Sequence, residues 1–236
     1  MSQFKHYNDS IFCAFQLHTK SKEIADRKEE IISKVSEHFQ HQPSSILFVG
    51  FSPAILKIQC KEIYVTEVSD SVLSWLQNQR ADIKLFDQPR KFDYVVAFDE
   101  YLTFAETETE QLSNINNLCK LASKMILTTV KDYKNQDFKD REYSQPAIIK
   151  SSKHNTAYIE IHNWSQTEKN SWTTNLYSLA DSSANYLGTY NRKTLFFKQL
   201  AKFSIDSGAK SFLVHKNLMY KSIIKKNYEH VISIIF

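Results

Sequence analysis

Apolar residues recur at helical spacing between residues 21 and 41, where Ile24, Ile31, Val35 and Phe39 stand among Lys, Glu and Asp. That spacing predicts an amphipathic helix, which Pro43 ends. Beyond it, short apolar runs alternate with helical stretches. The runs are Ile46 to Val49, Ile63 to Val68, Ile83 to Phe86 and Phe92 to Phe98, with a short helix expected from Pro53 and another from Asp70 to Gln79. Thr107-Glu-Thr-Glu110 reads as a capping box that opens a helix to Leu121, ahead of a fifth apolar run from Met125 to Val130. Nearly continuous apolar strands alternating with helices predict a parallel sheet covered on both faces.

After Lys131 the pattern breaks. Residues 151–191 hold 18 Ser, Thr or Asn in 41 positions and are expected to be irregular. Within them, Ala157 to Ile161 is strand-like and Ser165-Gln-Thr-Glu168 reads as a second capping box. Regularity is expected again in a helix from Arg192 to Ser207, stopped by Gly208, and in two last strands, Phe212 to His215 and His230 to Ile235. No internal repeat is visible.

Composition narrows the function classes. Apolar residues make up 42% of the 236 and charged residues 24%, which is the balance of a globular chain. Cys13, Cys60 and Cys119 are scattered and form no CxxC pair, so they read as reduced thiols in a cytoplasmic protein without a structural metal. No apolar run approaches the roughly 18 residues of a membrane span, and Met1 to Ser10 is too polar for a signal peptide. Glycine is scarce: Gly50, Gly188 and Gly208 are all there are. A P-loop, a three-glycine dinucleotide fingerprint and a G-x-S-x-G elbow are therefore excluded. Charge is uneven, with nine Lys or Arg against two acids from Gly188 onward, which leaves residues 1–187 at −3 within a net +4. The basic half is either a solvated face or a surface for an anionic partner such as nucleic acid.

The chemistry-bearing stretch is Ser45-Ile-Leu-Phe-Val-Gly50-Phe-Ser-Pro-Ala54: a strand, one glycine, then a helix start that Ser52 could cap. Seventeen residues after Gly50, Glu67 falls at the tip of the next strand, where a carboxylate can accept both hydroxyls of a ribose. With Thr66 to Leu73 and Phe92 to Asp99, these segments resemble class I S-adenosylmethionine-dependent methyltransferases. The resemblance covers residues 44–131 by motif and 192–236 by topology. It implies an α/β three-layer sandwich with a mostly parallel seven-stranded sheet whose last strand is antiparallel. An N-terminal helical segment, residues 1–43, would precede the Rossmann-like domain of residues 44–236, which carries an insertion at about 132–191.

The same resemblance implies roles. Gly50, with Phe51 and Ser52 in its turn, would meet the methionine end of S-adenosylmethionine. Glu67 would hold the ribose, Val68 would flank the adenine, and Asp87 would contact the adenine amino group. Asp99 and Glu100 sit where the family places substrate and amino-acid-end contacts. The chain departs from the pattern at Phe48, which replaces an acid, and at Ser52 and Ala54, which replace glycines. The cofactor bears no phosphate and so needs no glycine-rich cradle, only a close approach at one turn.

A sulfonium methyl is already activated, so positioning supplies much of the rate and a base is needed only if the acceptor loses a proton. Asp99, Glu100 and Tyr101 are the candidates. The acceptor, small molecule or macromolecule, is not identified, but Asp99-Glu-Tyr-Leu102 lacks the two prolines of base amino-methyltransferases and no Pro-Cys nucleophile occurs. Tyr143, Tyr158, Trp164, Trp172, Tyr177 and Tyr190 lie where the family often builds a substrate lid. His38 and His41 have ligand-like spacing but read as surface residues, and His162, His215 and His230 as strand or turn positions. The rival reading is a methyltransferase-like domain without catalysis that serves as a binding or assembly module, contacting nucleic acid through its basic end.

Overall fold

The structure, a computed structural model, describes residues 2–131, 141–143, 147–150, 155–165, 170–180, 183–221 and 228–236. Two helices lead the chain, α1 (Gln3–Leu17) and α2 (Ser21–His38). Ser2 caps α1 by accepting from the Lys5 N–H at 3.0 Å. Strands β1 (Ser45–Val49), β2 (Glu62–Thr66), β3 (Ile83–Leu85), β4 (Phe92–Ala97) and β5 (Ala122–Val130) then alternate with α3 (Asp70–Gln79) and α4 (Glu108–Leu121). After the insertion come α5 (Phe197–Asp206), β11 (Ser211–Lys221) and β12 (Tyr228–Ile235).

Seven strands form the main sheet in the order β11-β12-β5-β4-β1-β2-β3. Strands β1 to β5 pair in parallel, while β12 runs antiparallel to both β5 and β11. This is the expected sheet, with the last strand reversed. Every residue of β1 is buried, as a strand covered on both faces requires. Phe48 is fully enclosed in that core, in register with Val96 on the neighbouring strand. Helices α4 and α5 pack on each other, and Thr107 caps α4 by accepting from the Glu110 N–H at 3.1 Å.

Three expectations are corrected. The segment after Gly50 is a single 3-10 turn, Pro53–Leu56, and the Ser52 side chain makes no cap bond. The residues from Arg192 do not open a helix, because a strand runs to Lys193 and α5 begins only at Phe197. Gly208 does stop α5, in a left-handed conformation at φ +97°. The third correction is the largest. The stretch rich in Ser, Thr and Asn is an antiparallel sheet, with β8 (Asn155–Trp164), β9 (Ser171–Ala180) and β10 (Ser183–Lys193) as long strands and β6 (Arg141–Tyr143) and β7 (Ala147–Lys150) pairing with β8. Its threonines are β-branched and alternate with aromatics, so they suit a half-buried sheet rather than turns. Trp172, Thr174 and Leu176 are the buried positions along β9. The expected helix entry at residues 165–168 lies mostly outside the described residues.

Helix α1 joins the two sheets. It packs on β10 and β7 of the insertion and buries Phe4, Tyr7, Asn8, Ile11, Phe12 and Phe15. Phe12 and Phe15 meet Phe51 and Trp75 with ring centroids 5.1–6.2 Å apart. Among the described residues no helix is long and apolar enough to cross a membrane.

Candidate functional site

The carboxyl ends of β1, β2 and β4, which are neighbours in the sheet, carry four left-handed residues: Gly50 at φ +84°, Glu67 at +58°, Asp99 at +57° and Glu100 at +54°. A residue with a side chain costs about 1–3 kcal/mol in this conformation, so three acids in it at one sheet edge mark a site held by its surroundings. Around Gly50 the frame is tied by its own N–H, which donates to the Thr66 carbonyl at 2.8 Å. Glu100 N–H donates to Thr129 Oγ1 at 3.3 Å.

Helix α1 lies directly on this edge. The Ser2 hydroxyl donates to the Glu67 carboxylate, and the Phe51 N–H donates to Asn8 Oδ1 at 2.5 Å. A Cβ placed on Gly50 would come within 2.7 Å of Phe4 Cε1 and 2.8 Å of Asn8 Cγ. The close approach that glycine permits is therefore used by α1. The Phe4 ring stands edge-on to Tyr101 and Phe104, at 4.7 and 5.0 Å between centroids. Burial, with the Glu67 and Glu110 carboxylates adding, pushes the Tyr101 hydroxyl well above its ordinary value. The shift favours the protonated hydroxyl.

The structure brings Gly50, Phe51, Ser52, Glu67, Val68, Asp99, Glu100 and Tyr101 to this edge, on adjoining strand ends. Asp87 is exposed in the loop after β3, the strand that pairs with β2. Asp99 and Glu100 are buried, as are Val68 and Ser52. Ser52 Oγ and Asn8 Nδ2 are both buried without a hydrogen-bond partner among the described residues.

Further residues outside the predicted set complete the surroundings. Arg192, from the last insertion strand, is enclosed at 1% exposure, pairs with Glu100 Oε2 at 3.4 Å and donates from Nε to Thr103 Oγ1 at 2.9 Å. Its guanidinium carbon lies 3.8 Å from the Phe104 ring centroid. The Tyr7 hydroxyl donates to Glu160 Oε1 at 2.7 Å, and His162 Nε2 lies 3.5 Å from Glu160 Oε2. Burial first, then the Glu160 carboxylate, raises the Tyr7 hydroxyl well above its usual value. The spacing of Phe4, Tyr7, Ile11, Phe12 and Phe15 is helical and could have drawn attention to α1. No local signal points to Arg192 or Glu160.

A cavity of about 420 Å³ opens beside this edge, between the insertion sheet and the chain after the 3-10 turn Tyr101–Thr103. Glu106, Asn163, Trp172, Asn191 and Arg192 are among its walls. Glu106 Oε1 accepts from Asn191 Nδ2 at 2.9 Å and from Gln3 Nε2 at 3.4 Å, so the start of α1 reaches this cavity too. Of the aromatics expected in a lid, Trp172 lines the cavity, whereas Tyr158, Trp164 and Tyr190 are packed in the interior and Tyr143 lies outside the residues with described side chains. Among the described residues no cluster of His, Cys, Asp or Glu could hold a metal ion.

The chain has the class I methyltransferase fold. It aligns with DesVI of Streptomyces venezuelae at a TM-score of 0.69 and 14% identity, over 95% of this chain and 97% of the other. The sugar N-methyltransferase KedS8 of a Streptoalloteichus species aligns at 0.65 and 9% identity, over 91% and 89%. An S-adenosylmethionine-bound amino pentose methyltransferase of Micromonospora echinaspora, from calicheamicin biosynthesis, aligns at 0.60 and 8%, over 93% and 92%. Neither a protein-family model nor a curated protein sequence matches the chain.

The fold implies S-adenosylmethionine, and its fit divides in two. In chemistry the edge suits it, with a carboxylate at the β2 tip for the ribose and a turn without a Cβ for the methionine end. In space it does not fit while α1 is docked, because Ser2 engages Glu67 and Phe4 and Asn8 fill the open side of Gly50.

Proposed function

We propose that the chain is a methyltransferase that uses S-adenosylmethionine and methylates a polar acceptor bound in the cavity walled by Trp172, Asn191 and Arg192. The observation that carries this reading is the clustering of Gly50, Glu67, Asp99 and Glu100, all left-handed, on three adjacent strand ends of the class I fold. Open α/β sheets bind their ligands outside the carboxyl ends of the strands, and backbone strain concentrates at functional positions. The cofactor supplies an activated methyl group. Glu67 is assigned to the ribose hydroxyls, and Asp99 to taking a proton from the acceptor. Glu100 is assigned to position the β4 tip through Arg192, and Tyr101 to donate rather than accept a hydrogen bond.

A polar acceptor suits walls of amide, carboxylate and guanidinium groups with one indole, and two of the structural neighbours act on sugars by their names. Calorimetric titration with S-adenosylhomocysteine, run beside Glu67→Ala, tests the cofactor assignment. Micromolar binding in the wild type that is lost in the variant is the expected result, and unchanged affinity in the variant refutes the ribose role.

The docking of α1 favours a second reading, in which the domain has given up catalysis and serves as a binding module. Absence of binding at millimolar ligand, in the wild type and in variants with a loosened α1, selects it.

A further inference from the structure

Resting on the cofactor reading, we propose that helix α1 and S-adenosylmethionine compete for one crevice, so that the first two turns of α1 must leave the strand ends before the cofactor binds.

Three contacts place α1 where the ligand would lie. Ser2 donates to the carboxylate assigned to the ribose. Asn8 accepts the Phe51 N–H at 2.5 Å, occupying a backbone donor of the turn assigned to the methionine end. Phe4 and Asn8 together take the space that the missing Cβ of Gly50 leaves open. A ligand that reaches Gly50 and Glu67 meets each of these groups, and no side-chain rotation on one residue clears all three.

The docked state is also incompletely satisfied. Asn8 Nδ2, which lies at the Gly50 turn, is buried at 1% residue exposure without a hydrogen-bond partner among the described residues, as is Ser52 Oγ two positions after Gly50. Buried polar groups are nearly always paired in a finished core, and leaving one unpaired costs about 1–3 kcal/mol. An interface that carries such a group is weaker than its aromatic contacts indicate. The amide of Asn8 is freed to water when α1 lifts, which favours opening.

The far end of α1 supplies the hinge for this movement. Phe12 and Phe15 are packed on Phe51 and Trp75, so the helix can release Ser2 to Asn8 while its last turns stay seated. The tie that opposes release is the buried bond from Tyr7 to Glu160 of the insertion sheet, at 2.7 Å. Tyr7→Phe removes this hydroxyl and keeps the ring, which packs against Phe104 and Tyr190.

If a closed form dominates, the apparent affinity for the cofactor is reduced by the fraction of molecules that are open. Weakening the tie by removing a hydrogen bond to a carboxylate should then tighten binding by about tenfold or more. The test is titration of the full chain with S-adenosylhomocysteine for the wild type, Tyr7→Phe and Phe4→Ala, with hydrogen exchange of the amides of residues 3–17 followed in the same samples. Circular dichroism confirms that each variant is folded. The expected result is tighter binding in both variants and faster exchange over residues 3–10 when ligand is added to the wild type. Slower exchange on ligand addition, with weaker binding in Phe4→Ala, overturns the proposal and makes α1 a roof over the cofactor. Equal affinity in all three proteins with unchanged exchange also overturns it, and leaves the cofactor reading standing. Binding to none of the three overturns the cofactor reading and the competition with it.

Discussion

Replacing Arg192 by Met keeps most of the unbranched stem and removes the guanidinium. The guanidinium is enclosed at 1% exposure, pairs with Glu100 at 3.4 Å and donates to Thr103 at 2.9 Å. Breaking a buried ion pair by deleting one partner costs about 3–5 kcal/mol, because the remaining charge keeps its desolvation penalty. Loss of the Thr103 bond adds about 1 kcal/mol. The expected destabilisation is therefore about 4–6 kcal/mol, or roughly 8–24 °C in Tm for a domain of this size. Urea unfolding monitored by tryptophan fluorescence measures it. The decisive comparison is the double variant with Glu100→Gln, which removes the charge that Arg192→Met strands. It should be more stable than the single variant, with a coupling energy of about 2–3 kcal/mol. A single-variant loss below about 1 kcal/mol, or strict additivity in the double variant, would refute the view that Arg192 anchors the β4 tip.

Two glycines in the same backbone region separate strain from contact. Gly50→Ala should cost about 2–5 kcal/mol, combining a left-handed alanine with crowding against Phe4 and Asn8, whereas Gly208→Ala should cost about 1–2 kcal/mol because its Cβ would meet nothing within 4 Å. Thermal unfolding of the two variants compares them directly, and equal losses would mean that the α1 contact at Gly50 is not tight. Burial, and then the charge of His38, holds His215 below the ordinary histidine value while Ser233 Oγ sits 2.7 Å from its Nε2. The unfolded chain therefore binds the proton first, and the stability that His215 contributes above about pH 6.5 is lost as the pH falls below it. His215→Gln should flatten the pH dependence of Tm between pH 7 and 5, and an unaltered slope would show that another group dominates.

The central strands were legible because a parallel sheet buried on both faces leaves runs such as Ile46 to Val49 and Phe92 to Phe98 with almost no polar interruption. The acids at the strand tips were legible for a related reason: Glu67, Asp99 and Glu100 follow those runs immediately, so locating the strands locates them. The insertion was not. Threonine is common in turns and in strands, and a count of Ser, Thr and Asn cannot tell Thr174, buried opposite His162, from a loop residue. The docking of α1 on the strand ends was hidden by Lys5, His6, Asn8 and Asp9, which make the first turns of that helical segment look solvated although Asn8 is buried. Arg192 followed the turn-rich stretch and preceded an apolar one, so local pattern made it a helix start. Its partners are Thr103 and Glu100, some ninety positions away in the chain. Contacts of that separation leave no periodic trace.

The scarcity of glycine bears on how the site is held. A strand end that must turn sharply ordinarily uses glycine, which adopts left-handed angles without penalty. Here only the β1 end does so, while the β2 and β4 ends place Glu67, Asp99 and Glu100 in the same region at about 1–3 kcal/mol each. A glycine at those positions would relieve the strain and remove a carboxylate from the edge where ligands bind. The retained strain is thus an argument for function at the acids themselves, independent of any relative. It also explains why the edge is braced from outside, with Arg192 pinning Glu100 from the insertion sheet and Ser2 engaging Glu67 from α1. The two braces differ in kind. Arg192 is enclosed by Phe104, Tyr7 and Trp172 and can leave only if the insertion sheet separates. Ser2 stands at the exposed start of a helix, so its hold on Glu67 can be released without disturbing the sheet.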